Sequence, residues 1–324
     1  MQGKYDLVII GAGPMGLACA IEAKKAKLNY VILEKGVLVN SLYRFPTNMT
    51  FFSTSKLLEI GDVPFISHRE KPTRREALEY YRRVWQSWKL DVHLYEPVVE
   101  VKKISIGFEV ISDKHVYSTR SIVVATGFYD LAVKLNVPGE DLPKVSHYFG
   151  EAHPYVGQEL LVIGAANSAC QVALETYSKG ANVTMVIRSA QIYDRVKYWI
   201  KPNIENRIKE GSIKAYFDSE VIRIEPKQVL LKTADGEVSI KNDYVLAMTG
   251  YKPDYSLLHK LGIEIGDDQY QSPTYDESTF ETNVPGIYIA GVICGGMKTN
   301  KFFIENSRSH AEAIIEDLVA RTHA

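Results

Sequence analysis

Residues 7 to 20 read LVIIGAGPMGLACA. The stretch YDLVII (5–10) is too short for a helix and rich in β-branched residues, which predicts a buried strand. Gly11, Gly13 and Gly16 follow in a G-x-G-x-x-G pattern, broken by Pro14 and Met15. LACAIEAKKAK then predicts a helix with small residues toward the strand, and YVILEK (30–35) the next strand. A strand–glycine loop–helix–strand order is the βαβ unit that binds a dinucleotide. Gly11 permits the tight turn, Gly13 lets the backbone approach a pyrophosphate at the positive helix end, and Gly16 lets helix and strand pack closely. Glu34 stands at the end of the second strand, about 23 residues after Gly11, where a carboxylate suits a ribose with free hydroxyls.

The pattern recurs further along. ELLVIG (159–164) predicts a strand, AANSAC a turn, QVALETYSKG a helix with Gly180 as its C-terminal cap, and NVTMVIR (182–188) the returning strand. The second loop runs Gly164-Ala165-Ala166-Asn167-Ser168-Ala169, with alanine at 166 and 169 in place of glycine. The second strand ends on Arg188, not on an acid, and Arg195 follows. A guanidinium binds a 2′-phosphate where a carboxylate would repel it. FAD in the first site and NADPH in the second is the simplest assignment, since that pair allows hydride transfer.

SIVVATG (121–127) and YVLAMTG (244–250) are two further strands ending in Thr-Gly, and GIYIAG (286–291) is a late strand. Each dinucleotide unit thus acquires its own Thr-Gly strand. The expected fold class is α/β: two Rossmann-like three-layer dinucleotide-binding domains, the second inserted in the first. The FAD-binding domain is expected over 1–125 and 248–324, and the NADPH-binding domain over 126–247. Residues 73–88 predict a helix with Thr73 and Glu76 as a capping box and an apolar stripe of Ala77, Tyr81, Val84 and Trp88. VYSTRSIVVATG and VLLKTADGEVSIKNDYVLAMTG read as strand pairs, the second turning at Asp235-Gly236.

Composition narrows the class. The chain has 324 residues and a formal charge of −1, with acids and bases mixed along it, which favours neither nucleic acid nor an anionic membrane as partner. No apolar stretch approaches a membrane span, and a strand begins within a few residues of Met1, so a cytoplasmic protein is expected. The cysteines Cys19, Cys170 and Cys294 are far apart and form neither a CxxC nor a metal-ligand spacing. Cys19 and Cys170 read as helix packing residues. Cys294 follows the last strand, in a turn expected near the flavin, and is the one candidate for a catalytic thiol. His147 and His153 read as residues of a linker before the second unit.

The layout resembles low-molecular-weight thioredoxin reductases, and within that group the bacillithiol-disulfide-reductase-type flavoproteins. The resemblance covers nearly the whole chain and rests on NSLYRFPTNMTFFSTSKLLEIGDVPF (40–65), HYFGEAHPY (147–155), VIGAANSA (162–169), PGIYIAGVICGG (285–296) and KFFIENSRSH (301–310). It implies a homodimer with FAD at Gly11, Gly13, Pro14, Gly16, Glu34, Lys35, Asn40, Ser41, Thr47, Val99, Thr126, Gly127 and Gly291. Met15, inside the same loop, lies beside that group. It implies NADPH at Gly164, Asn167, Ser168, Arg188 and Arg195, with Ala166 in the loop between them. A closing helix from about Asn300 would point its N-terminus at the flavin pyrimidine.

Two departures bear on chemistry. Thioredoxin reductases relay electrons through a CxxC, whereas this chain has a single cysteine, Cys170, in that region. The bacillithiol-type proteins carry a cysteine in the first glycine loop, where this chain has Met15; a thioether forms neither a thiolate nor a mixed disulfide. Val292 stands where many relatives have an aspartate, which the bacillithiol-type proteins also lack. The expectation is an FAD-containing NADPH oxidoreductase that passes hydride through the flavin to a small acceptor. That acceptor is a low-molecular-weight disulfide or a small redox protein such as ferredoxin or flavodoxin. A non-catalytic sensor of NADPH and FAD is the remaining alternative.

Overall fold

The computed structural model describes residues 3–322. The chain divides into two compact units, Met1–Leu131 with Tyr251–Ala324, and Ala132–Gly250. Each is built on a mostly parallel sheet in which an inner strand runs into a glycine-bearing turn and a helix, so the α/β class holds.

In the first unit, strand Gly3–Ile10 pairs in parallel with Tyr30–Leu33 on one side and Val116–Val124 on the other. Its continuous apolar run follows from burial on both faces. Leu7 and Ile9 join a core with helices Pro14–Lys25, Arg74–Trp88 and Ile304–Thr322, while Val8 and Ile10 face a second core containing Phe108, Val110 and Leu258. The far edge of Val116–Val124 is used twice. Its first half pairs antiparallel with Phe108–Ser112, and its second half pairs in parallel with Ile287–Ile289. VYSTRSIVVATG is therefore one strand and not a pair, because the return partner is supplied by the preceding residues.

Helix Arg74–Trp88 carries the expected capping box, with Thr73 accepting from the Glu76 amide and Glu76 from that of Thr73. Its buried stripe is Ala77, Tyr80, Tyr81 and Val84, with Trp88 only half-buried at the end. The closing helix begins at Ile304, four residues after the expected start, the preceding residues being spent on turns from Gly291 onward.

In the second unit, Glu159–Ile163 is central, flanked in parallel by Asn182–Val186 and Tyr244–Ala247. Leu160 and Val162 face the helix Asn167–Ser178; Leu161 and Ile163 face a core built with Val221, Val229 and Leu231 of the antiparallel strands. Asn167 to Cys170, read from sequence as turn, form the first turn of that helix, where alanine at 169 costs the helix nothing. The hairpin Gln228–Thr233/Gly236–Lys241 turns on Ala234-Asp235, with Gly236 already paired to Thr233. His147 is not in a linker. It is buried in this unit with Nε2 3.0 Å from Glu140 Oε1, and burial lowers its pKa.

Candidate functional site

The first cradle is the loop from Gly11 to Gly16. Gly11 has φ +108°, and a Cβ there would stand 2.7 Å from the Ala125 carbonyl oxygen. A Cβ on Gly16 would lie 1.9 Å from the Gly11 oxygen, so only glycine lets the helix close on the loop. Gly13 is different: nothing lies within 4 Å of its Cβ position, which leaves the backbone open above the helix N-terminus. That terminus has no side-chain cap, so its first amides are available to an anion.

Glu34 braces the loop from behind. Its Oε2 accepts from the Ala12 amide at 2.8 Å and its Oε1 from the Gly36 amide at 2.9 Å. Burial raises its pKa, and those two amides pull the other way. Lone pairs remain on both oxygens for hydroxyl donors. Val39, unmarked in the sequence, adds a second brace: its amide donates to the Ala12 oxygen at 3.1 Å. It does so at φ +49°, a strained conformation for a β-branched residue.

Other members of the expected set gather here. Gly127 has φ +71° with an open Cβ direction bounded by Ser41 Oγ at 3.9 Å and Val292 Cγ2 at 4.0 Å. Thr126 Oγ1 is buried without a hydrogen-bond partner among the described residues. Such a hydroxyl is costly unless something else meets it. Met15 lies against Gly291 and is 8% exposed. Asn40 is buried at the start of a short helix beside Gly36. Lys35 ion-pairs with Asp130 at 2.7 Å. Thr47 is exposed in the turn after that helix, and Val99 sits at a bulge on the outermost strand, with two strands between it and Gly3–Ile10. Val99 lies three residues beyond Glu96, whose amide donates to the Glu34 carbonyl oxygen at 2.8 Å.

Behind Gly291 stands His310, buried on the closing helix. Its Nδ1 accepts from the Gly291 amide at 3.2 Å and lies 3.9 Å from Cys294 Sγ. Phe280 stacks on the ring at 3.9 Å between centroids. Burial, with Lys301 nearby, lowers its pKa to about 4, so it is a neutral acceptor at physiological pH. Its only sequence signal was its place in KFFIENSRSH. Cys294 is 1% exposed and burial pushes its thiol far up. Cys19 and Cys170 are likewise buried, each thiol raised to about 12.

The second cradle repeats the logic with weaker glycine content. Gly164 has φ +127°, and a Cβ would stand 2.7 Å from the Met248 oxygen and 3.2 Å from Ala169 Cβ. Ala166 and Ser168 are exposed at the helix start, which has no side-chain cap. Arg188 and Arg195 are exposed, and among the described residues neither guanidinium has an acidic partner. Asn167 spends its side chain on backbone: Oδ1 accepts from the Lys197 amide at 2.8 Å and Nδ2 donates to the Arg195 oxygen at 3.3 Å.

Comparison with known proteins agrees with this layout. Residues 8–291 match the family described as pyridine nucleotide-disulphide oxidoreductase. Over 316 residues, the chain is 43% identical to the bacilliredoxin reductase Bdr of Bacillus subtilis (strain 168), covering 97% of each protein. It superposes with a TM-score of 0.96 on the bacillithiol disulfide reductase Bdr (YpdA) from Staphylococcus aureus, at 43% identity and 99% coverage of both chains. A thioredoxin reductase from T. acidophilum shares the fold at a TM-score of 0.77 and 19% identity, with 99% of each chain covered.

Proposed function

The chain belongs to the pyridine nucleotide-disulphide oxidoreductase family, and from that footing we propose that it uses NADPH and FAD to reduce a low-molecular-weight disulfide of the bacillithiol type. The net reaction is NADPH + H⁺ + RSSR → NADP⁺ + 2 RSH. The observation that carries the reading is the first cradle: an uncapped helix start over an open Gly13, a Glu34 carboxylate with lone pairs to spare, and the orphaned Thr126 hydroxyl. These residues fit a flavin dinucleotide. Gly13 and the helix amides would take its pyrophosphate, Glu34 a ribose, and Thr126 one further polar atom. A bound flavin supplies the hydride acceptor that side chains lack.

The protein's own part is binding, orientation and exclusion of water. Arg188 and Arg195 would hold the 2′-phosphate that distinguishes NADPH from NADH. No side chain of the first glycine loop offers a thiolate, since Met15 occupies the position, and all three cysteines are buried. The reading therefore has the substrate disulfide reduced without a protein thiol relay, in a homodimer.

The test is anaerobic reduction of the yellow protein with NADPH, followed by addition of bacillithiol disulfide, oxidised ferredoxin or oxidised flavodoxin separately while flavin absorbance is followed. Reoxidation by the disulfide is expected. Reoxidation only by ferredoxin or flavodoxin would replace this reading, and a colourless protein that takes up no flavin would end it.

A further inference from the structure

Arg195 lies on a loop, seven residues beyond Arg188, which itself stands two residues past the strand Asn182–Val186, and is exposed. A long cation on a free loop spends binding energy on being ordered when an anion arrives. The loop here is not free. Asn167, the first residue of the helix Asn167–Ser178, grips it at two points: the Arg195 oxygen and the Lys197 amide. Both functional ends of the carboxamide are engaged, donor on carbonyl and acceptor on amide. Tyr193 ties the same loop to the turn through its amide on the Ala165 oxygen at 3.2 Å. The stretch from Tyr193 to Lys197 is thereby fastened to the residues that begin the helix.

We infer that Asn167 acts on NADPH through Arg195, as a positioning residue that holds the arginine's backbone beside the helix N-terminus, and is not primarily a contact of the nucleotide. The inference rests on the reading of Arg195 as a 2′-phosphate ligand. An asparagine bonded directly to the pyrophosphate would serve NADPH and NADH alike. One that sets the place of Arg195 serves only the nucleotide with the extra phosphate.

The experiment is a double-mutant cycle in the full-length flavoprotein, read by direct titration with 2′,5′-ADP and with 5′-AMP. Asn167→Ala keeps the helix start, since alanine is the best helix former. Arg195→Ala is expected to weaken 2′,5′-ADP roughly tenfold or more, the size of one charge-assisted contact. Asn167→Ala is expected to weaken 2′,5′-ADP several-fold and leave 5′-AMP unchanged. The double variant is expected to bind no more weakly than Arg195→Ala alone, because the two residues act in series. Additive losses, or equal weakening of both ligands by Asn167→Ala, would overturn the inference. Arg195→Ala with full affinity for 2′,5′-ADP would instead remove the reading on which it rests. Far-UV circular dichroism of each variant separates a misfolded protein from a weakened site.

Discussion

Met15 and Gly291 are in van der Waals contact across the first cradle: a Cβ built on Gly291 would stand 2.7 Å from Met15 Cγ and 3.2 Å from Met15 Cβ. The loop that opens the chain and the turn that follows its last strand are fitted to each other at this point. Gly291 also has φ +83°, so alanine there meets both a backbone and a steric penalty. Gly291→Ala is expected to lose roughly 2–4 kcal/mol in urea unfolding and to retain less flavin after gel filtration. Adding Met15→Ala removes the contact with Cγ but leaves the Cβ at 3.2 Å and the backbone strain, so it restores part of the loss. Full restoration would show that the φ value carries no cost.

Cys294 is expected to be dispensable for turnover. Its sulfur is buried and its thiol is held protonated by burial. Cys294→Ala should keep NADPH-dependent disulfide reduction within about twofold of the parent and cost on the order of 1 kcal/mol of stability through a small cavity. Loss of disulfide reduction with intact reduction of the flavin by NADPH would restore Cys294 as a participant.

His310 predicts an acid-side loss of stability. Its folded pKa of about 4 lies below the usual value near 6.5, so the unfolded chain binds more protons between the two. The contribution is present above pH about 6.5 and is lost as pH falls toward 4, by roughly 3 kcal/mol in all. The groups facing the ring are Cys294 and Lys301, with Phe280 and Phe302 against its faces and edge. Urea midpoints measured from pH 7.5 to 5 should fall more for the parent than for His310→Asn, which has no proton to gain. Parallel curves would remove the assignment.

Thr73→Ala should cost about 1 kcal/mol, since the Thr73–Glu76 pair satisfies amides at both ends of the capping box. Hydrogen bonds from Thr73, His68 and Ser67 outweigh burial and hold Glu76 near a pKa of about 2, so the box should persist in mild acid. Amide exchange over the first turn of helix Arg74–Trp88 is the readout, and no change in protection would contradict it.

Much of this was legible in the sequence because the signals were local. Gly16 sits where a Cβ collides with the backbone of Gly11, five residues before it, and Thr73 with Glu76 is a four-residue pattern. Boundaries were less legible where a small residue fits two states, as with Ala169 and Cys170, which joined the helix. Contacts set by distant segments were not legible at all. Nothing around Val39 announces a left-handed valine bonded to Ala12, and nothing around Asn167 announces that its amide is spent on Arg195 and Lys197. His147 misled for the same reason: a run of aromatic and proline residues looks like a connector until Glu140 is seen beside it.

The double use of one edge of strand Val116–Val124 has a consequence for biosynthesis. Residues 122–124 receive their outer neighbour, Ile287–Ile289, only from a segment more than 160 positions downstream. On the ribosome the inserted unit emerges whole and has all its strands in hand while the enclosing one still lacks that neighbour and the helix Ile304–Thr322. Maturation is thereby ordered from the inside out, and the half-made outer unit, with an unpaired apolar edge, is the nascent species that a chaperone would meet.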